Sequence, residues 1–146
     1  MAGNKTEETH VVWERRQAEL WDRIFQVTQD VITVAETLSD TVGYAVVRQE
    51  LVRAATAVGV ELVRANAADS AGEFERHVKE ARIRAIESDY WLRLVYVLQQ
   101  QEDVQRDLSS VISQYTAIIT LLQRFLTHTQ GEPDVLFRHT KGPRIN

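Results

Sequence analysis

Cysteine is absent from the 146 residues. Its absence excludes a disulfide framework, a zinc-thiolate site and a cysteine nucleophile, and it suits a reducing cytoplasm. No apolar run approaches the roughly 18 residues of a membrane span. The N-terminus, Met-Ala-Gly-Asn-Lys-Thr-Glu-Glu, is too polar for a signal peptide. A cytoplasmic protein with no membrane partner is therefore expected. A basic excess is missing as well. Net charge is −4, so no global field recruits RNA or DNA, and any such contact needs a local patch or one repeated around an oligomer. Catalytic signatures are also lacking. There is no Gly-x-Ser-x-Gly and no phosphate-binding glycine loop. Glu7-Glu-Thr-His10 has the Glu-x-x-His spacing of di-iron bundles, but that chemistry needs a second such motif and two further inward carboxylates. His77, His128 and His139 follow Phe74, Phe125 and Leu136 at that spacing, so the second motif does not exist. His77 reads as a packed or solvent-tipped side chain. Neither a catalytic residue, a metal nor a cofactor is expected.

What is present is helical periodicity. Leu20, Ile24, Val27, Val31, Val34 and Leu38 step by 4 and 3, a heptad seam on a helix over about 9–38, with residues 1–8 expected to fray. Trp21, Phe25 and Ile32 widen that face toward two neighbours. Ser39-Asp40-Thr41-Val42-Gly43 is a turn with capping oxygens. A second helix, about 44–68, directs Val47, Leu51, Ala54, Val58, Leu62 and Ala65 inward. Its many alanines allow close approach, and Gly59 at mid-helix marks a close crossing or a slight bend. Ser70 and Glu73 have capping-box spacing ahead of a third helix, about 71–98. Its seam is Phe74, Val78, Ala81, Ala85, Ser88, Leu92 and Val95. A fourth helix, about 102–129, carries Val104, Leu108, Val111, Tyr115, Ile118, Leu122 and Phe125, and Gly131-Glu-Pro133 stops it. Paired acids at Glu102 and Asp103 suit its N-terminal dipole. Four amphipathic helices joined by short turns give an all-α, up-down-up-down four-helix bundle over residues 1–130. Residues 131–146 read as a flexible, mildly basic tail.

The third helix breaks the pattern. Opposite its seam lie Arg76, Ile83, Tyr90 and Val97, whereas the equivalent lines of the first helix (Asp22, Gln29, Glu36) and the fourth (Arg106, Ser113, Thr120, Thr127) are polar. A helix apolar on every side is buried on every side. Ile83, Ile86, Tyr90, Trp91, Leu94 and Val97 are therefore candidate oligomer-interface residues. A tail or N-terminus folded over them and a heterologous partner are the alternatives. The cations of this helix are balanced by acids and mostly read as ordinary helix-surface pairs. Lys79, Arg82 and Arg93, with Arg53 and Arg64 of the second helix, are the candidate phosphate-contacting stripe.

Residues 50–89 carry a resemblance. Leu51, Arg53, Ala54, Ala55, Val58, Ser70, Glu73, Phe74, Ala81, Glu87 and Asp89 fall without a gap on a signature reading Gln-Leu-Arg-Arg-Ala-Ala, Ser-Ile, Asn-Ile-Ala-Glu-Gly, Glu-Phe and Ser-x-x-Glu-Leu-Glu. That signature belongs to the bacterial four-helix-bundle proteins encoded by intervening sequences of 23S ribosomal RNA genes, which this segment resembles. Glu61-Leu-Val-Arg64-Ala65 replaces the Asn-Ile-Ala-Glu-Gly motif, so that motif's role does not transfer, although Glu61 and Arg64 can pair at i,i+3. The chain is also similar to a sister group, the accessory variability proteins of diversity-generating retroelements, which tend to be more basic. Either resemblance implies a homopentamer and no enzyme activity. The second implies a reverse transcriptase and nucleic acid as partners. The combined expectation is a non-enzymatic, homo-oligomeric accessory or scaffold protein of a nucleic-acid-processing system. The alternative is a scaffold that touches only protein.

Overall fold

The computed structural model describes residues 3–129, with side chains from 15 to 127. Four helices account for nearly all of this: α1 (Gly3–Thr37), α2 (Val42–Asn66), α3 (Ala71–Leu98) and α4 (Glu102–Thr129). Three connections of three or four residues join them, too short for a crossover, so consecutive helices run antiparallel. α1 packs on α2 and α4, and α3 packs on the same two, which closes a four-cornered bundle with α1 and α3 at opposite corners.

The helix ends follow from local chemistry. Thr41 caps α2, its hydroxyl accepting from the Tyr44 N–H. This cap starts α2 at Val42, two residues earlier than the periodicity suggests. Across the same turn the Arg48 guanidinium donates to the Leu38 carbonyl at 3.4 Å and pairs with Asp40 at 3.2 Å, satisfying an end-of-helix acceptor of α1. Ser70 caps α3, accepting from the Glu73 N–H, while the Glu73 carboxylate accepts from the Asp69 N–H at 3.1 Å. The reciprocal bond of the capping box thus falls one residue earlier than usual. α1 begins at Gly3 rather than near Thr9, so the frayed start expected over 1–8 is helical from its third residue. The expected stop at Gly131–Pro133 and the tail over 131–146 lie outside the described residues.

Packing follows the heptad seams. Every seam residue named for α1, α2 and α3 is buried, and on α4 only Val104 is merely half-buried. Small residues at the centre of α3 (Ala81, Ala85 and Ser88) and Ala54 and Ala55 of α2 are all buried, and α2–α3 is the most extensive helix pairing. Two expectations fail. Phe25 does not widen the buried face of α1: it is 68% exposed, and Ile32 is exposed too. Of the two readings of Gly59, the close crossing is the one that fails. A Cβ added there would meet only Ile24 Cγ2, at an ordinary 3.9 Å.

Candidate interaction surface

The bundle is two-sided. Among the described residues, α4 exposes no large hydrophobic side chain, whereas α3 exposes Ile83, Ile86, Tyr90, Tyr96, Val97 and Leu98. Tyr90 is 60% and Val97 77% open to solvent. α2 adds Val60 and Val63. Of the six candidate interface residues, Ile83, Ile86, Tyr90 and Val97 form this outer ridge. Trp91 and Leu94 do not: they are half-buried and packed against the core. Tyr90 meets Trp91 edge-on at 5.1 Å between ring centres, so the ridge rests on a core aromatic.

Charge follows the same sidedness. On α2 and α3 the most exposed charged residues are Arg53, Arg64, Arg76, Lys79 and Arg93, all basic. Their acidic partners are half-buried beneath them. Lys79 pairs with Glu75 at 2.9 Å, Arg93 with Asp89 at 2.8 Å, Arg64 with Glu61 at 2.7 Å and Arg53 with Glu50 at 3.8 Å. The face is therefore apolar and cationic at its outermost layer, over a layer of carboxylates.

The candidate phosphate stripe is not one stripe. Arg53 and Arg64 line an open groove of about 950 Å³ between α2 and α3, together with Arg84, Glu87 and Trp91 of α3. Lys79 and Arg93 stand on the outer ridge of α3. Arg82 lies two positions from Arg84, about 200° around the helix, hence on the flank turned away from α2. It is half-buried, and its Nε is enclosed without a hydrogen-bond partner. The groove itself is balanced, with Glu50, Glu61 and Glu87 against Arg53, Arg64 and Arg84.

At one end of the groove the replaced motif takes a structural role. Glu61 accepts from Arg64, as the i,i+3 spacing suggests, and also meets His77 Nδ1 across the helix pair at 2.8 Å. Both side chains are nearly buried, at 12% and 13% exposure. Burial alone raises the Glu61 pKa, but the His77 hydrogen bond and the Arg64 charge outweigh it, so the carboxyl sits below its ordinary 4.5. His77 is thus half of an α2–α3 tie. Sequence spacing cannot reveal that partner, because it sits on another helix.

No cluster of three or more His, Cys, Asp or Glu suited to a metal ion occurs among the described residues. The Glu7–His10 spacing falls where side chains are not described. No described helix is long and apolar enough to cross a membrane.

No family model matches the chain, and no curated protein matches it either. A solved structure does. It is a protein of unknown function from the S23 ribosomal protein family of Bacteroides thetaiotaomicron. It shares 20% identity at a TM-score of 0.69, over 77% of this chain and 98% of that one. At that identity the likeness establishes the bundle fold. It is consistent with the resemblance to the 23S intervening-sequence family, and nothing in it bears on the retroelement sister group.

Proposed function

We propose that this protein is a non-enzymatic scaffold that assembles with copies of itself through the outer face of α3. The observation that carries the reading is the row of exposed apolar side chains on α3, set against a fourth helix whose outer face is serine and threonine. A patch of this kind on a soluble bundle is the usual mark of an interface. Following the resemblance, the assembly is a closed ring of five. Tyr90→Lys and Val97→Glu test it. Each places a charge in the contact at a cost of several kcal/mol, and each should give a folded but smaller particle. An unchanged particle size with either variant would count against the ridge as the contact.

A second reading has its own support. The most exposed charges on α2 and α3 are cations, and an oligomer multiplies them. On that basis the scaffold serves a nucleic-acid-processing system, with a reverse transcriptase as one candidate partner, and touches phosphates through Arg53, Arg64, Lys79 and Arg93 rather than through the half-buried Arg82. Binding of this kind weakens steeply with salt. Changing Arg53, Arg64 and Arg93 to Glu should abolish it. Binding that ignores both salt and these changes would remove the reading and leave a protein-only scaffold.

A further inference from the structure

α1 and α3 each carry a second heptad seam on the outside. On α1, Asp22, Phe25, Gln29, Ile32 and Glu36 step by 3 and 4, and all five are exposed. On α3, Lys79, Ile83, Ile86, Tyr90 and Arg93 step by 4 and 3, and all five are exposed as well. Inside the bundle such seams are how these helices find their partners. The outer two have no partner among the described residues, since α1 and α3 occupy opposite corners.

The two seams fit each other. Antiparallel, their steps match layer for layer: Glu36 on Lys79, Ile32 on Ile83, Gln29 on Ile86, Phe25 on Tyr90 and Asp22 on Arg93. Each layer sets an a-type position against a d-type one, as antiparallel helix pairs require. The span from Asp22 to Glu36 equals that from Lys79 to Arg93, about 21 Å along a helix. Acids close both ends of one seam and cations both ends of the other. Apolar side chains dominate the layers between. The parallel alignment of the same two spans sets 3-steps against 4-steps and loses the register. A seam set against its own copy places acid on acid or cation on cation at its ends.

We propose that the outer seam of α1 in one copy packs antiparallel on the outer seam of α3 in the next. This inference rests on the self-association proposed above and adds the identity of both surfaces. Because the two seams face away from each other across the bundle, one neighbour cannot both give and receive the contact. Copies therefore join head to tail, in a ring where the rotation closes and a filament where it does not. Lys79 and Arg93 exchange or share their present carboxylate partners, Glu75 and Asp89, on assembly.

The cysteine-free chain makes the test clean. Phe25→Cys and Tyr90→Cys variants, mixed and treated with a short bis-maleimide, should give a covalent mixed dimer, while neither cross-links alone. Gln29→Cys with Ile86→Cys provides the same reading should loss of the aromatic pair dissolve the contact. Charge reversal gives a second readout: Asp22→Arg or Arg93→Asp alone should weaken assembly severalfold, and the two together should restore it. Cross-linking of Tyr90→Cys to itself, no mixed product from either cysteine pair, or no rescue by the double reversal would overturn the pairing while leaving self-association intact. A wild-type protein that is monomeric would remove both proposals.

Discussion

The Tyr115 hydroxyl is enclosed at the centre of the bundle with no hydrogen-bond partner. Ser88 of α3 lies beside it, outside hydrogen-bond geometry, and its hydroxyl donates to the Arg84 carbonyl at 2.9 Å. Burial pushes the phenol well above its usual range, so it stays neutral at any pH the fold survives. An unpaired buried hydroxyl costs about 1–3 kcal/mol. Tyr115→Phe should therefore leave the melting midpoint unchanged or raise it. A loss of more than about 1 kcal/mol in denaturant titration would mean the hydroxyl has a partner after all. The heptad count places Tyr115 and Ser88 on their seams, yet it says nothing about whether their oxygens meet. The same limit explains Phe25. It adjoins the buried Ile24, and one 100° step along α1 carries it from the core to solvent.

Each helix is specified twice over, by its seam and by its ends. The α3 boundaries were legible because Ser70 and Glu73 announce the cap and because its seam runs unbroken to Val95. Those of α2 were off by two residues at each end, since Ser39, Asp40 and Thr41 all offer capping oxygens and only the fold selects Thr41. The tie between α2 and α3 was half legible: Arg64 is a local neighbour of Glu61, and His77 is not. It also makes stability depend on pH. With the Glu61 pKa below 4.5 in the folded chain, the ionised carboxylate favours folding above about pH 4.5. That contribution is lost as pH falls through the lower folded value. Glu61→Gln should be less stable than wild type by about 1.5–3 kcal/mol near pH 7, the worth of hydrogen bonds to a charged group. The gap should close as pH falls below 4.5 and through the lower folded value. Urea titrations across that range check it, and a gap that stays constant would show that the carboxylate charge plays no part in the tie.

At the scale of the molecule, the bundle is an ordinary four-helix core with an unusual exterior. α4 presents hydroxyls, α1 an acid-ended apolar seam, and α2 with α3 an apolar and cationic face. The apolar line on α3 was readable from spacing alone, because Ile83, Tyr90 and Val97 sit opposite the core seam. The unpartnered seam on α1 was not, since Phe25 and Ile32 read equally well as flanks of the core until the positions of α2 and α4 decide between them. Splitting of the basic residues between groove, ridge and far flank was likewise invisible, because it depends on where α2 lies relative to α3. The central claim is that the outer apolar face is covered by another copy of the chain. Native mass spectrometry on the wild-type protein and on Tyr90→Lys, prepared without nuclease, addresses it most directly. The account predicts a mass of several chains, five by the family resemblance, that falls toward one chain in Tyr90→Lys while the helical circular dichroism is kept. A single-chain mass for the wild-type protein would contradict it.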